Sequence, residues 1–234
     1  LDPEFRGDGD QELYLGPGIA AIPSVGPVGA PDIDAIAGLT PDLIIGSDAL
    51  GTETYDALSA IAPTVFTSSE GGWKDTFLQS AAALGRGQTA FDELARFSAD
   101  AREVGVELNA SQTQASVVRF LADSAVTDGA DSFASQVLDE VGVRRPPAQR
   151  EESVTVTPED LSVAEGDIVY VRFAGDDGES FGTSFMESDA WADLGSAEDG
   201  RIFAVNDTVW SGSGVIAART ILTDVTDSLN AYVS

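Results

Sequence analysis

Arg119 stands in the apolar run Val117-Val118-Arg119-Phe120-Leu121, and Arg172 stands in Ile168-Val169-Tyr170-Val171-Arg172-Phe173. A guanidinium inside such a run must be paired with a carboxylate or must face a cavity. In either case its fixed fork of donors suits oxygen acceptors. Alternation along the second run can also turn Arg172 to solvent. Among the aromatics, Trp73 follows Glu70-Gly71-Gly72 and opens a helix, a common place for a pocket-lining ring. Trp210 lies in a polar loop that ends Ser211-Gly212-Ser213-Gly214, where a pocket role is more natural than a core role. Tyr170 sits mid-strand, where packing is the simpler role. It completes the candidate set of Trp73, Arg119, Tyr170, Arg172 and Trp210. Trp191, beside Leu194 on a short amphipathic helix, is expected in the core. Phe173, Asp48 and Ser68 also fall at strand ends.

Composition removes most other chemistries. The 234 residues include no histidine and no cysteine. Ser-His-Asp and Cys-His catalysis, His-ligated zinc or haem, thiol nucleophiles, iron–sulfur clusters and disulfides therefore have no side chains to build on. Forty acidic residues against 12 basic ones give a net charge of −28. Such a field repels phosphate backbones and anionic membrane surfaces, so no nucleic-acid partner is expected. With 40 carboxylates, chance adjacency accounts for Asp176-Asp177 and Glu151-Glu152 without a catalytic dyad or a calcium site. No EF-hand spacing, Walker loop or dinucleotide fingerprint occurs. No apolar run approaches the roughly 20 residues that span a bilayer.

The elements that must position these residues follow from periodicity. A short helix over 31–38 starts with Pro31 and Asp32 and exits at Gly38. Leu43-Ile44-Ile45-Gly46 has the pattern of a strand buried on both faces. A helix carrying Tyr55, Leu58, Ile61 and Ala62, the strand Thr64-Val65-Phe66-Thr67 and a helix over 73–84 follow. This order implies a parallel sheet with helical crossovers. Phe91, Leu94, Phe97, Ala101, Val104 and Leu108 then predict one helix of about 20 residues, about 30 Å long. Beyond it come a strand at 115–121, a partner at 124–127 and a helix over 132–141 ending at Gly142. Next are a short helix near 158–164, a strand at 168–173, a loop at Asp176-Asp177-Gly178 and a helix at 188–194. A strand at 201–205 precedes a last helix over about 214–232, with Val215, Ala218, Leu222, Val225, Leu229 and Tyr232 on one stripe.

Four stretches carry a resemblance. They are Pro31 to Ser47 (PDIDAIAGLTPDLIIGS), Ile61 to Phe66 with Trp73 to Phe77, Val117 to Ala134, and Arg201 to Trp210 (RIFAVNDTVW). In this order and spacing, over residues 31–234, the chain resembles the substrate-binding proteins of iron–siderophore ABC importers of the ferric hydroxamate type. The resemblance implies an α/β fold of two lobes with parallel sheets joined by one long rigid helix, the class III periplasmic-binding-protein arrangement. Residues 7–87 would form the N-terminal lobe, 88–110 the connecting helix and 111–234 the C-terminal lobe, with 1–6 a remnant of cloning sites. Relative to such proteins, the first strand–helix–strand unit is expected to be missing. Ala30 also stands where a permease-docking glutamate often precedes the helix-starting proline.

The implied function is an extracytoplasmic receptor, anchored by lipid, that captures a ferric siderophore between its lobes and delivers it to the importer's permease, without catalysis. Ligands bind beyond the carboxyl ends of the strands in such folds. The missing histidines weigh against free-metal cargo. For haem only Tyr14, Tyr55, Tyr170, Tyr232 and Met186 remain as axial ligands. A siderophore brings its own oxygen ligands to iron, so the protein needs no cofactor and supplies shape, aromatic faces and donors. Three Trp, eleven Phe and eleven Arg against one Lys fit that need. Arg119 is then either a donor to carbonyl or hydroxamate oxygens or an arginine with a structural partner. The acidic field favours neutral or cationic chelates, hence hydroxamates over catecholates. A cobalamin or haem binder of the same fold and a carboxylate-based hydrolase are the alternative readings.

Overall fold

The computed structural model describes residues 15–16, 21–27, 29–68 and 70–233, with the side chains of 232 and 233 excepted. The expected cloning remnant at 1–6 and Tyr14 lie outside the described residues, and so does most of 7–30. The chain divides into two compact units, one up to Leu94 and one from Ala95 onward.

In the first unit, Asp32 caps helix α1 (Ile33–Gly38) by accepting from the Ala35 N–H at 2.9 Å. Strand β1 (Ile44–Ser47) leads through helix α2 (Gly51–Ser59) to strand β2 (Thr64–Thr67), and helix α3 (Gly72–Ala83) follows. The two strands pair in parallel, Ile44 opposite Thr64, as the alternation of helix and strand requires. Ile36, Ile44, Leu58 and Ala62 form the small core. The expectation that β1 is buried on both faces is corrected: Ile44 is buried and its neighbour Ile45 is exposed.

Helix α4 (Gly87–Glu107) is a single helix of 21 residues, and the division between the units falls within it. Its buried face is Ala90, Leu94, Phe97 and Ala101. Phe91, one residue off that stripe, is exposed, contrary to the sequence reading.

The second unit holds a five-stranded sheet in the order β5-β4-β3-β6-β7. Strands β3 (Ala115–Phe120), β6 (Ile168–Phe173) and β7 (Ile202–Ala204) are parallel. Strands β4 (Ala125–Thr127) and β5 (Thr155–Val156) add antiparallel pairs at one edge. Helix α5 (Phe133–Val141) starts at Ser132, which accepts from the Ser135 N–H, and stops at Gly142, whose φ of 86° is left-handed. Helices α6 (Gly175–Met186), α7 (Asp189–Ala192) and α8 (Gly195–Glu198) connect β6 to β7. Helices α9 (Asp207–Trp210) and α10 (Gly214–Val233) close the chain.

The register assigns the two faces of this sheet. On one face Val118, Phe120, Val169 and Val171 pack with Trp191 and Leu194. Phe120 is the hub: its ring lies 5.5 Å from Phe173, 5.7 Å from Phe185 and 5.8 Å from Trp191. The other face carries Val117, Arg119, Tyr170 and Arg172, and Tyr170 meets α10 through Ser228.

Two segments differ from the sequence reading. Asp176-Asp177-Gly178 is the first turn of α6, not a loop. Both aspartates favour the positive end of that helix. Gly178 is there for close packing, because a Cβ would come within 2.6 Å of the Phe120 carbonyl oxygen. Residues 158–164 form no α-helix. A Thr157–Asp160 bridge precedes a single 3-10 turn at Ser162–Ala164, and the Ser162 hydroxyl donates to Asp160 at 2.6 Å.

Gly105 lies on α4 where a Cβ would sit 1.9 Å from the Val141 carbonyl oxygen at the end of α5. Helix propensity alone would make Gly105→Ala stabilising by about 1 kcal/mol. The contact reverses the sign: thermal unfolding of the variant is expected to show a loss of about 1–3 kcal/mol. An unchanged or raised midpoint would mean that α4 does not approach α5 this closely.

Candidate functional site

Parallel pairing sets Arg119 and Arg172 side by side on neighbouring strands, one residue from the carboxyl end of each. Two like charges at that spacing need compensation. Asp207 supplies it from the first turn of α9, just beyond the carboxyl end of β7. Asn206 fixes the start of that helix by accepting from the Val209 N–H at 3.0 Å. The two oxygens of Asp207 are divided between the arginines. Arg119 Nη2 donates to Oδ2 at 2.7 Å, and Arg172 Nη1 donates to Oδ1 at 2.8 Å.

Arg172 is the deeper of the pair. Its side chain is 6% exposed, and its Nη2 donates to Asp128 Oδ1 at 2.5 Å. Its Nη1 also donates to the Ser211 hydroxyl. Asp128 follows β4 and is tied to the ladder by its own N–H, which donates to the Val117 carbonyl at 3.1 Å. Two guanidiniums and two carboxylates thus form one charge-balanced cluster at the carboxyl edge of the sheet. Arg119 is its accessible member, with a side chain 32% exposed. Behind the cluster, Arg145 Nη2 donates to the Asp128 carbonyl oxygen at 2.8 Å and to Gln149 Oε1 at 2.9 Å. Burial pulls the Arg145 guanidinium below its usual pKa, while Asp128 and Asp139 oppose the shift.

The aromatic candidates are placed differently. Trp210 is 1% exposed, its ring centroid is 4.7 Å from that of Tyr170, and its Nε1–H donates to Asp224 Oδ2 at 2.8 Å. The expectation that it lines a pocket is corrected, because α9 turns the ring into the core. Tyr170 is equally buried, and its hydroxyl is 2.6 Å from the Ser228 hydroxyl. Burial pushes its phenol well above the usual range. Neither ring offers a free face to a ligand. Arg172, which alternation could have sent to solvent, is held inside by its two carboxylates.

Trp73 is also buried, in the first turn of α3 after the carboxyl end of β2, with Lys74 Nζ 5.7 Å from its ring centroid. Trp191 is in the core as expected. Phe173 stacks on Phe120, Asp48 is exposed, and Ser68 is tied to Gln79 and Thr76. Among the haem-ligand candidates, Tyr55 reaches the Thr64 carbonyl and Met186 packs by the aromatic cluster. Among the described residues no group of three or more acidic side chains could hold a metal ion, and no helix is long and apolar enough to cross a membrane. Two open cavities of the second unit lie elsewhere. One of about 510 Å3 is lined by Gln114, Asp167 and Arg201, and one of about 450 Å3 by Arg144, Arg145 and Arg150.

Sequence reasoning missed Asp207 and Asp128, the partners on which both arginines depend. The available signal was position for Asp207 alone, which follows the parallel strand β7 after a helix cap, on the side where ligands of such sheets bind; Asp128 follows the antiparallel β4 and carries no such signal.

Burial raises the Asp224 carboxyl above the usual carboxylate range, the hydrogen bond from Trp210 opposes this, and Asp227 adds to it. A carboxyl raised on folding costs stability when ionised, and the cost fades as pH falls toward its folded pKa. Asp224→Asn keeps an acceptor for Trp210 and removes the charge. Denaturant titrations are expected to find the variant more stable than the parent at pH 7–8, with the gap closing as pH falls through the raised carboxyl's range toward that of an ordinary carboxylate. A less stable variant at pH 7–8 would show that the charge-assisted bond outweighs burial.

The fold has counterparts among known proteins. The periplasmic binding protein family model matches residues 7–208. The chain is 31% identical over 226 residues to the probable siderophore-binding lipoprotein YfiY of Bacillus subtilis, covering 90% of this chain and 70% of that one. Staphylococcus aureus SirA, solved with staphyloferrin B, has the same fold, with a TM-score of 0.81 and 23% identity over 98% of this chain and 87% of SirA. The iron uptake ABC transporter substrate-binding protein PiuA of Streptococcus pneumoniae superposes with a TM-score of 0.75 at 25% identity, over 93% of this chain and 82% of PiuA. By the family model and by its likeness to YfiY, this chain belongs to the periplasmic binding protein family.

Proposed function

We propose that this chain is the substrate-binding receptor of an ABC importer and that its cargo is a ferric siderophore. Family membership and the name of YfiY support this reading. The observation that carries it is Arg119. A guanidinium one-third exposed, at the carboxyl ends of the parallel strands of the sheet and held by Asp207, is a prepared donor for the oxygens of a chelate. Arg172 and Asp207 hold that donor in place. A chain without histidine or cysteine fits a cargo whose iron is already ligated.

The division into a lobe of residues 7–87, a connecting helix over 88–110 and a lobe of residues 111–234 is part of this reading. So are delivery to a permease, an extracytoplasmic location with a lipid anchor, and a cycle of capture and release without bond chemistry. The lipoprotein relatives support the location.

Titration with a ferric trihydroxamate, followed by quenching of tryptophan fluorescence, tests the proposal. Saturable quenching at micromolar ligand or below is expected. Arg119→Ala removes a charge-assisted donor worth about 1.5–3 kcal/mol, so its Kd is expected to rise at least about tenfold. Its melting temperature should change little, since Asp207 keeps Arg172 as partner. Absence of quenching by the parent protein contradicts the function. An unchanged Kd in the variant contradicts the placement of the site.

A further inference from the structure

We infer that Asp207 determines the charge of the chelate that this site accepts, selecting neutral over multiply anionic ferric chelates. The inference rests on the siderophore reading above and adds to it a residue and a ligand class. Asp207 already occupies, with one oxygen each, Nη2 of Arg119 and Nη1 of Arg172, donors that would otherwise turn on an anion. Asp128 and Ser211 take up further donors of Arg172. The four paired groups count two cations and two anions, and behind them Arg145 interacts with both Asp128 and Asp139, which keeps the count even at three of each, so the cluster has no positive charge in excess. Moreover, Asp207 is 15% exposed beside the accessible guanidinium of Arg119, close enough for its own charge to be felt by a ligand there. The surrounding field, at −28 for the whole chain, supplies no compensation.

Chelate chemistry turns this into a selection. Three hydroxamates cancel the charge of ferric iron and present carbonyl-type oxygens that accept hydrogen bonds. Three catecholates leave a multiply charged anion, which must either displace Asp207 or bind against it. A neutral acceptor needs only the remaining donor capacity of Arg119. A carboxylate locked between two arginines is costly to displace, because both guanidiniums must be re-paired at once.

The experiment compares a ferric trihydroxamate and a ferric tris-catecholate by fluorescence quenching, for the parent protein and for Asp207→Asn, in low and in physiological salt. The parent is expected to bind the trihydroxamate at least about tenfold more tightly. Asp207→Asn keeps the size of the side chain and leaves the cluster one positive charge in excess. It is expected to shift the affinity ratio toward the catecholate by about tenfold, less in higher salt. The ratio is the informative quantity, since a folding defect lowers both affinities together. A parent that binds the catecholate as tightly as the trihydroxamate overturns the inference without any variant. A ratio unchanged in Asp207→Asn overturns it as well, while the siderophore reading stands. If neither chelate binds the parent protein, the siderophore reading fails and this inference falls with it.

Discussion

Two arginines set in register on adjacent parallel strands are the constraint around which the carboxyl edge of the second unit is built. Like charges this close, one of them nearly out of reach of water, are stable only if carboxylates meet them with good geometry. The chain meets that demand with one carboxylate on each side. Asp128 comes from the antiparallel edge beyond β4, and Asp207 comes from the helix cap beyond β7. The cluster therefore ties together strands, a loop and a helix that are distant in sequence. Removing Arg172 would leave the buried Asp128 carboxylate without its guanidinium partner, a loss of about 3–5 kcal/mol, whereas removing the outer Arg119 leaves Asp207 still paired with Arg172. The sheet can carry arginines in otherwise apolar strands only because of this arrangement.

The same arrangement links the fold to its proposed use. Aromatic packing around Phe120 on one face, and Tyr170 with Trp210 against α10 on the other, fix the strands that carry the arginines. The outer guanidinium is thereby pre-oriented without being consumed. That suits recognition of a complex whose metal is already satisfied: the protein contributes donors and a rigid edge rather than ligands to iron. The large negative charge of the chain and the neutrality of the cluster act in the same direction, away from anionic cargo.

Much of the fold was legible from local pattern. The 3.6-residue period of α4 and α10, the serine and glycine bounds of α5 and the apolar runs of β3 and β6 each reflect interactions between near neighbours in the chain. The chemistry of the site was only half legible. Arg119 and Arg172 stand out because a charge within an apolar run is conspicuous. Their partners do not, because Asp207 is 88 residues from Arg119 and Asp128 is 44 residues from Arg172, and both lie in an excess of carboxylates. The Trp210 reading failed for a related reason. A polar loop in sequence became a capped single turn, and the indole found a buried carboxylate on α10 that sequence spacing does not reveal. Gly178 shows the same limit: it looks like a loop residue and is the contact surface for the Phe120 carbonyl.

The most direct test of the central claim is nuclear magnetic resonance of the arginine side chains in protein labelled with nitrogen-15. The gallium form of a trihydroxamate siderophore serves as a diamagnetic stand-in for the ferric one. Eleven arginines make the Nε–H region simple enough to assign by substitution. The account predicts that the resonances of Arg119 and Arg172 shift on saturation while those of Arg144 and Arg150 stay in place. Saturable binding that moves Arg144 and Arg150 and leaves Arg119 unchanged would contradict it.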